Sequence, residues 1–337
     1  MTKELKVSII IPTLNSQRTL QLCLDSINNQ DYRGEMEILV ADGGSIDDTL
    51  KIAKVKGTRI IKNRLKTGEA GKAVGAKYAS GEILAFIDSD NVLPSKDWLS
   101  RLIKPFGVDE EIIATEPLFF TYRKSDHWLT RYFALLGMGD PLSLFIGWYD
   151  KYSYITGKWT GLNIKIQNKK GYFSFYLKGK IPTIGANGFF VRKSELLKYP
   201  IRDYLFDIDV LKILSSRKKI KVAKVKVGII HLFSRDIGTF IRKQQRRIKD
   251  YIFFGKQGLR VADTDNKIIY WGIIKFVVST ILILPLLIQT LIGYSRKKDT
   301  AWLFHPLACW LTLFVYTIET LKSPFIKGEF DRKGWKQ

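Results

Sequence analysis

Cysteine and histidine are both scarce in this chain, whose 337 residues include two cysteines and three histidines. Cys23 falls on a predicted soluble helix and Cys309 in a strongly apolar segment, so we do not expect a disulfide between them. No group of cysteines and histidines has the spacing of zinc ligands. These absences fit a reducing compartment for the globular part of the protein.

Low-complexity tracts and a dinucleotide-binding fingerprint are also missing. The hydrophobic fraction of 46% is ample for a core, so we do not expect global disorder. The first apolar run, residues 7–11, is too short for the hydrophobic region of a signal peptide and is typical of a first strand. No Gly-x-Gly-x-x-Gly follows this strand, which argues against a dinucleotide site.

Negative charge is lacking in the second part of the chain. Residues 1–120 carry 16 Lys and Arg against 17 Asp and Glu, whereas residues 121–337 carry 39 against 15. The formal net charge of +23 therefore belongs to the second part. Such asymmetry predicts a polyanionic partner, either nucleic acid or an anionic membrane surface.

Strands and helices alternate in the first part of the chain. Apolar runs predict strands at residues 7–11, 37–40, 58–61 and 83–87, and helices are predicted at 17–30 and 69–80. This alternation indicates a doubly wound α/β sheet.

Two carboxylates follow the most apolar of these strands. Asp88 and Asp90 flank Ser89 directly after residues 83–87, where the chain leaves the sheet. In open α/β sheets, ligands bind beyond the carboxyl ends of the strands. Paired carboxylates at this edge suit a hard divalent cation that shares its coordination with substrate phosphates.

Other turns are predicted to lie at the same edge. Pro12, Thr13 and Asn15 follow the first strand, and Asp42 follows the second, where its carboxylate can accept a hydrogen bond from a nucleobase. Lys72 offers a cation to a diphosphate. Together with the carboxylate pair, this set predicts a nucleotide-diphosphate site.

These motifs resemble those of inverting family 2 glycosyltransferases with the GT-A fold, including polyprenyl-phosphate glycosyltransferases. The resemblance is carried by residues 7–15 (VSIIIPTLN), 40–49 (VADGGSIDDT), 71–90 (GKAVGAKYASGEILAFIDSD), 185–192 (GANGFFVR) and 207–214 (DIDVLKIL). It implies a mixed doubly wound sheet with helices on both faces. Lys72, Ala73 and Gly43 depart from the commoner family residues, which leaves the sugar and base of the donor open.

The resemblance also implies roles for particular residues. Pro12, Thr13, Asn15, Asp42, Lys72, Asp88, Ser89 and Asp90 would bind the donor, and Gly185, Ala186, Asn187 and Gly188 would line the mouth for sugar and acceptor. Residues 201–214 are predicted to form a helix around Asp207 and Asp209. Asp207 aligns with the general base, and Asp209 is its near neighbour. Asp88, Asp90 and His231 would hold Mn²⁺ or Mg²⁺.

A basic amphipathic helix is predicted near residues 236–254. Its composition is typical of an element that lies on a membrane surface. Gln244, Arg246 and Arg247 could contact phosphates or lipid head groups. The segment is similar to the Gln-x-x-Arg-Trp motif of processive synthases, although Ile248 replaces the tryptophan.

Two long apolar runs follow this helix. Residues 276–292 contain no charge, and residues 301–318 are uncharged apart from a neutral histidine. Both approach the length of a transmembrane helix, and they are predicted to form a spanning or re-entrant hairpin with kinks at Pro285 and Pro306. Trp271, Tyr294, Trp302 and Tyr316 resemble interfacial aromatic belts.

The expected organisation has five parts. Residues 1–118 form the nucleotide-sugar half, 119–235 the acceptor half with an unplaced insertion at 119–180, 236–265 the interfacial helix, 266–321 the apolar hairpin and 322–337 a basic tail. We expect a membrane-anchored enzyme with a cytoplasmic catalytic domain. It would transfer a sugar from a nucleotide-diphosphate sugar to a lipid acceptor, a polyprenyl phosphate or a lipid-linked saccharide, and bind no nucleic acid.

Three alternatives remain at this point. A processive polysaccharide synthase would use similar motifs, although a single hairpin offers few helices for a polymer channel. A nucleotidyltransferase also uses paired carboxylates, but it usually has a Gly-rich loop after its first strand. A binding protein without enzymatic activity would depend on the basic second part.

Overall fold

A computed structural model describes residues 4–179, 181–185, 187–234, 236–260, 266–325, 328, 330 and 331. These residues divide into two compact units, one containing residues 4–118 and 164–232 and the other containing 119–163 and 233–331, with the gaps just given. The first stretch of the first unit ends at residue 118, and the unit continues with residues 164–232. The expected half at 119–235 is divided between the units, because its first 45 residues cluster with the C-terminal helices.

The described residues contain ten strands, which form one mixed sheet. In chain order the strands are β1 Val7–Thr13, β2 Met36–Asp42, β3 Arg59–Lys62, β4 Ile83–Phe86, β5 Asn91–Val92, β6 Ile112–Phe120, β7 Ile166–Lys169, β8 Tyr172–Leu177, β9 Phe189–Arg192 and β10 Ile220–His231. The order across the sheet is β3-β2-β1-β4-β9-β6-β10-β8-β7, and β5 pairs with β10. The strands β3, β2, β1 and β4 are parallel, and β9 pairs antiparallel to β4. The predicted mixed sheet is confirmed.

The described residues contain twelve α-helices. They are α1 Gln17–Asn28, α2 Thr49–Val55, α3 Gly68–Tyr78, α4 Trp98–Val108, α5 Trp128–Leu136, α6 Leu142–Ile146, α7 Lys193–Leu196, α8 Asp207–Arg217, α9 Ile237–Lys256, α10 Asn266–Leu282, α11 Leu284–Arg296 and α12 His305–Leu321. A short 3₁₀ helix at Thr300–Phe304 leads into α12.

Two element boundaries differ from the sequence expectation. The first strand continues through Pro12 to Thr13. Among the described residues, β1 pairs with both β2 and β4 as far as Ile10, and beyond Ile10 it pairs with β2 alone. Pro12 therefore breaks no hydrogen bond to β4, although it lacks a backbone N–H. The helix expected at 201–214 begins only at Asp207. The segment before it is held away from helical geometry, and Leu205 donates its N–H to the carbonyl of Glu69.

Close packing of helices on the sheet fixes the first unit. A Cβ on Gly75 of α3 would lie 2.4 Å from Cγ2 of Ile10, so only glycine lets this helix approach β1 so closely. Trp98 of α4 is fully buried against Phe190, and its indole N–H donates to the carbonyl of Gly228. These contacts bury the apolar strands predicted from the sequence.

An aromatic cluster forms the core of the second unit. Phe133 of α5 stacks 3.8 Å from Phe233, and Tyr132 meets Phe304 edge to face. The cluster joins α5, the start of α9 and the residues before α12. Asp236 caps α9 by accepting the N–H of Thr239, which confirms the predicted helix.

The two apolar runs form helices that differ in shape. The α10–α11 pair is bent by 94° at Ile283, which precedes Pro285, so the kink predicted at Pro285 is present and sharp. Pro306 lies in the first turn of α12, where it interrupts no helical hydrogen bond, so the kink expected there does not occur within α12. In the part of the chain that the structure describes, one helix, Thr300–Leu321, is long and apolar enough to cross a membrane, or two are if the bent pair is counted as one span. Trp302, which was expected to belong to an interfacial aromatic belt, is instead fully buried, and its indole N–H donates to the carbonyl of Lys297.

Candidate active site

The register of the parallel strands brings the predicted donor residues to one edge of the sheet. β1 lies between β2 and β4, with Thr13 opposite Asp42 and Ile10 opposite Phe86. Asp88 therefore leaves β4 beside the end of β1. The predicted convergence of three strand ends is present in the first unit.

Asp42 organises the turn that follows β2. Its Oδ2 accepts the N–H groups of Gly44 and Ser45 at 2.8 and 2.9 Å, and its Oδ1 accepts the hydroxyls of Thr13 and Ser45 at 3.0 and 2.5 Å. Four donors match the acceptor capacity of a carboxylate. A nucleobase N–H that binds Asp42 would have to replace or share one of these hydrogen bonds.

The turn after β1 is tied to the turn after β2. Asn15 has a positive φ of 49°, and its Oδ1 accepts the N–H of Ile46 at 3.0 Å. Pro12 packs against Gly71, where an added Cβ would lie 2.8 Å from the Cβ of Pro12. The expected nucleoside residues therefore form one connected surface.

The carboxylate pair differs in exposure. Asp88 has a side chain 35% exposed, whereas Asp90 is buried and lies 3.4 Å from Nε2 of His231. The short strand β5 causes this approach, because it pairs Asn91 with His231 at the end of β10. Ser89 is buried and donates its hydroxyl to Ser16 at 3.1 Å.

Lys72 joins the cation motif to the expected base. Its ammonium lies 2.5 Å from Oδ2 of Asp207 and 3.7 Å from Oδ1 of Asp88. Burial opposes the charge of Lys72, but the carboxylates of Asp207 and Asp88 outweigh it and raise the lysine pKa. Lys72 therefore neutralises these carboxylates, and its contact with a diphosphate stays a prediction.

Asp207 is a buried carboxylate of the site with a strongly raised pKa. Burial raises the pKa of Asp207 to about 7, and Lys72 limits that rise. Its Oδ1 is buried and accepts no hydrogen bond within the described residues. A buried carboxylate with a pKa near neutrality is suited to accept a proton. Asp209 is also fully buried, two residues further along α8.

The glycine segment packs directly on the expected base. A Cβ on Gly185, whose φ is +146°, would lie 2.6 Å from the Cβ of Asp207. Asn187 has a φ of 61° and accepts a hydrogen bond from Asn91 at 2.9 Å. Gly188 donates its N–H to the carbonyl of Phe86. Ala186 lies outside the described residues.

Sequence reasoning missed a buried ion pair behind the glycine segment. Lys224 and Glu116 are both fully buried and form a salt bridge, and Oε1 of Glu116 accepts the N–H of Gly185 at 3.1 Å. Lys224 alternates with apolar residues along β10, and this alternation is the feature of the sequence that could have drawn attention to Lys224. Its partner is 108 residues away in the sequence, so the pairing could not be predicted.

The predicted phosphate or head-group residues belong to the second unit. Gln244 is fully buried and donates to the carbonyl of Gly139, and Arg247 donates to the same carbonyl and to Oε1 of Gln244. Tyr316, expected in an aromatic belt, instead donates to Asp140 and Gln244. Arg246 is only partly buried on the same helix.

The cation motif fits a divalent metal that is completed by a substrate. Among the described residues, no three His, Cys, Asp or Glu side chains form a ready metal site. Asp88 is accessible beside the Lys72 ammonium, and Asp90 lies next to His231. Mg²⁺ and related cations typically use one or two carboxylates together with substrate phosphates, so this donor set suits them.

Residues 8–192 match the family model described as glycosyl transferase family 2, which is more than half of the chain. The chain belongs to glycosyl transferase family 2. The matched range contains the strand-end turns, the carboxylate pair and Lys72. It ends before Asp207 and His231, whose roles rest on geometry and on the sequence resemblance.

Curated relatives of this family match a limited part of the chain. Glycosyltransferase AglE of Haloferax volcanii is 36% identical over 113 residues, which are 31% of this chain and 37% of the relative. The UDP-Glc:alpha-D-GlcNAc-diphosphoundecaprenol beta-1,3-glucosyltransferase WfaP of Escherichia coli is 33% identical over 154 residues, which are 44% of this chain and 57% of the relative. The chain thus spans between about a third and just over half of these relatives' lengths.

A solved structure shares the fold over almost the whole chain. The mannosyltransferase PcManGT from Pyrobaculum calidifontis, in complex with GDP-Man and Mn²⁺, has a TM-score of 0.56 at 13% identity. The match covers 97% of this chain and 89% of that protein. The expected GT-A fold is therefore confirmed.

Proposed function

We propose that this family 2 protein transfers a sugar, with inversion, from a nucleotide-diphosphate sugar to a lipid-linked acceptor, and that the reaction requires a divalent cation. The donor would lie at the carboxyl edge of β1, β2 and β4. The turns at Asn15 and Asp42 would contact the nucleoside. Asp88 and Asp90 would hold Mn²⁺ or Mg²⁺ beside the diphosphate.

The contact of Lys72 with two carboxylates carries the proposal. One ammonium lies 2.5 Å from Asp207 and 3.7 Å from Asp88, so the expected base and the expected cation ligand are close together. An inverting transfer needs this proximity, because the base and the leaving diphosphate act on opposite sides of one sugar carbon.

The proposed sugar transfer needs no reactant besides the nucleotide-diphosphate sugar and the acceptor. The acceptor hydroxyl forms a bond to the anomeric carbon while the bond from that carbon to the diphosphate oxygen breaks. Asp207 takes the hydroxyl proton, and the nucleoside diphosphate leaves. A bound divalent cation would supply charge stabilisation to the leaving diphosphate.

The environment of Asp207 favours a hydroxyl acceptor. A phosphate acceptor is already ionised and needs no base, whereas a hydroxyl needs one with a pKa suited to the working pH. Burial gives Asp207 such a pKa, about 7. The name of the relative WfaP specifies a diphosphoundecaprenol-linked sugar as its acceptor. We therefore favour a lipid-linked saccharide over a polyprenyl phosphate.

Product analysis tests the proposal. Purified full-length protein is incubated with nucleotide-diphosphate sugars, Mn²⁺ and either a polyprenyl-diphosphate saccharide or a polyprenyl phosphate. We expect free nucleoside diphosphate and a lengthened lipid-linked saccharide with inverted anomeric configuration. D207N should abolish this transfer, and D31N, at an exposed position of the first unit, should not. Release of pyrophosphate would instead indicate nucleotidyl transfer.

A further inference from the structure

The C-terminal helices expose an apolar face that none of the described residues of the second unit covers. On α12 and the turn before it, Leu303, Leu307, Trp310 and Phe314 are between 43% and 75% exposed and follow helical spacing. The opposite side of the same helix is buried against the unit. This one-sided pattern shows that α12 packs on protein along one face and needs an apolar partner along the other.

The bent pair is too short to cross a bilayer. The 17 residues of α10 extend about 25 Å and the 13 residues of α11 about 20 Å, at 1.5 Å per residue. The hydrocarbon core is about 30 Å thick. A bend of 94° prevents the two helices from adding their lengths. Exposed Lys275, within α10, further opposes deep insertion of that helix.

Helix α12 is long enough to cross, but α9 lies beside it for its whole length. Phe240 near the start of α9 meets Phe304 at 5.7 Å, and Gln244 bonds to Tyr316. At the far end, Lys256 donates to the carbonyl of Ser323. A membrane crossing by α12 would therefore carry α9 through the bilayer as well.

Helix α9 is not compatible with a bilayer interior. Its charged residues are Arg242, Lys243, Arg246, Arg247, Lys249, Asp250 and Lys256. Charged side chains at the bilayer centre are costly and rare. The connection before α12 is equally polar, because Asp299 pairs with Arg131 at 3.0 Å and Arg296 donates to the carbonyls of Tyr154 and Ile155.

We propose that α10, α11 and α12 insert into one leaflet of an anionic membrane and do not cross it, so that both ends of α12 stay on the same side. The exposed apolar faces enter the leaflet, and the basic helix α9 stays in the region of the head groups. The residues of the second unit, 119–163 and 233–331, contain 20 Lys and Arg against 11 Asp and Glu, and α9 alone carries six basic residues against one acidic residue, which matches an anionic lipid surface. This inference deepens the lipid-acceptor part of the proposed function, but its tests measure binding and topology without turnover.

Cysteine labelling tests the topology. In a background lacking Cys23 and Cys309, single cysteines are introduced as K298C and K322C, before and after α12, with K51C as an exposed reference in the first unit. A maleimide that cannot cross membranes is added to inside-out and right-side-out vesicles. We expect all three positions to react from the same side. Reaction of K298C and K322C from opposite sides would overturn the proposal.

Vesicle flotation tests the partner. The full-length protein is mixed with phosphatidylcholine vesicles, with and without phosphatidylglycerol. We expect stronger binding to the anionic vesicles, and L307E and F314E should each weaken it by about tenfold or more. V55E, a matched change at a residue 76% exposed in the first unit, should leave binding unchanged.

The same variants distinguish lipid from a second copy of the chain. If L307E and F314E dissociate a dimer and leave vesicle binding intact, the face is an interface between copies and the proposal fails. Retention of vesicle binding by both variants without any change in oligomeric state would also contradict it.

Discussion

The ammonium of Lys72 lies between two carboxylates, 2.5 Å from Asp207 and 3.7 Å from Asp88. A buried ammonium needs compensating charge, and these carboxylates provide it. Donor binding would therefore compete with Asp207 for the same ammonium, which couples the diphosphate site to the proposed base.

The pH dependence of turnover should report the ionisation of Asp207. A general base acts when deprotonated, so the rate should rise as pH passes through about 7, the pKa to which burial raises this carboxyl. In K72M the cation that limits that rise is lost, so the ascending limb should move to higher pH. In K72R a cation remains, and the limb should move much less.

Initial rates between about pH 5.5 and 9, a range that brackets the Asp207 pKa of about 7, provide the measurement, with saturating donor so that donor binding does not contribute. D207N should lack the limb altogether because it lacks the titrating group. If the ascending limb of the pH–rate profile does not move in K72M, or if it persists in D207N, the group that titrates is a residue other than Asp207.

Individual strands were predictable because each is a single contiguous run of apolar residues in the sequence. Residues 83–87 signalled β4 and the carboxylates after it, and parallel strands place their carboxyl ends at one edge. The start of α8 at Asp207 was not predictable from local sequence, because it depends on the contact of Leu205 with Glu69. The buried partner of Lys224 was equally hidden, since it lies on another strand.

The turn at Gly185 should be intolerant of any side chain. Its φ of +146° is accessible almost only to glycine, and a Cβ there would lie 2.6 Å from the Cβ of Asp207. In G185A the start of α8 must shift, and displacement of a catalytic group by about 1 Å can cost about a hundredfold in rate. We expect a loss in kcat of that order, with a loss of unfolding free energy of only about 1–3 kcal/mol.

Steady-state kinetics and thermal melting of G185A provide the comparison. G68A at the start of α3 is the matched control, because a Cβ there meets no atom within 4 Å. Near-normal kcat in G185A, or an equal loss in G68A, would show that the glycine segment does not position Asp207.

Across the chain as a whole, charge and hydropathy predicted that the second part associates with a membrane. They did not predict that some of its aromatic side chains contact protein. The aromatic residues near the helix ends resembled an interfacial belt, yet Trp302 is fully buried and Tyr316 bonds to Asp140. Composition alone cannot distinguish a lipid-facing aromatic from one that packs on protein. A lipid-facing aromatic is distinguished from a protein-facing one by contacts between α9, α12 and residues 119–163, and these segments are distant in the sequence.

We propose that Asp88 and Asp90 bind a divalent cation together with a nucleoside diphosphate. Titration calorimetry of UDP and GDP, with and without Mn²⁺, on the unmodified protein, D88N, D90N and the control D31N tests it most directly. We predict that Mn²⁺ tightens binding of at least one diphosphate by about 10- to 100-fold in the unmodified protein and D31N, and not in D88N or D90N. Nucleotide affinity that is independent of Mn²⁺, or that keeps its Mn²⁺ dependence in D90N, would contradict the account.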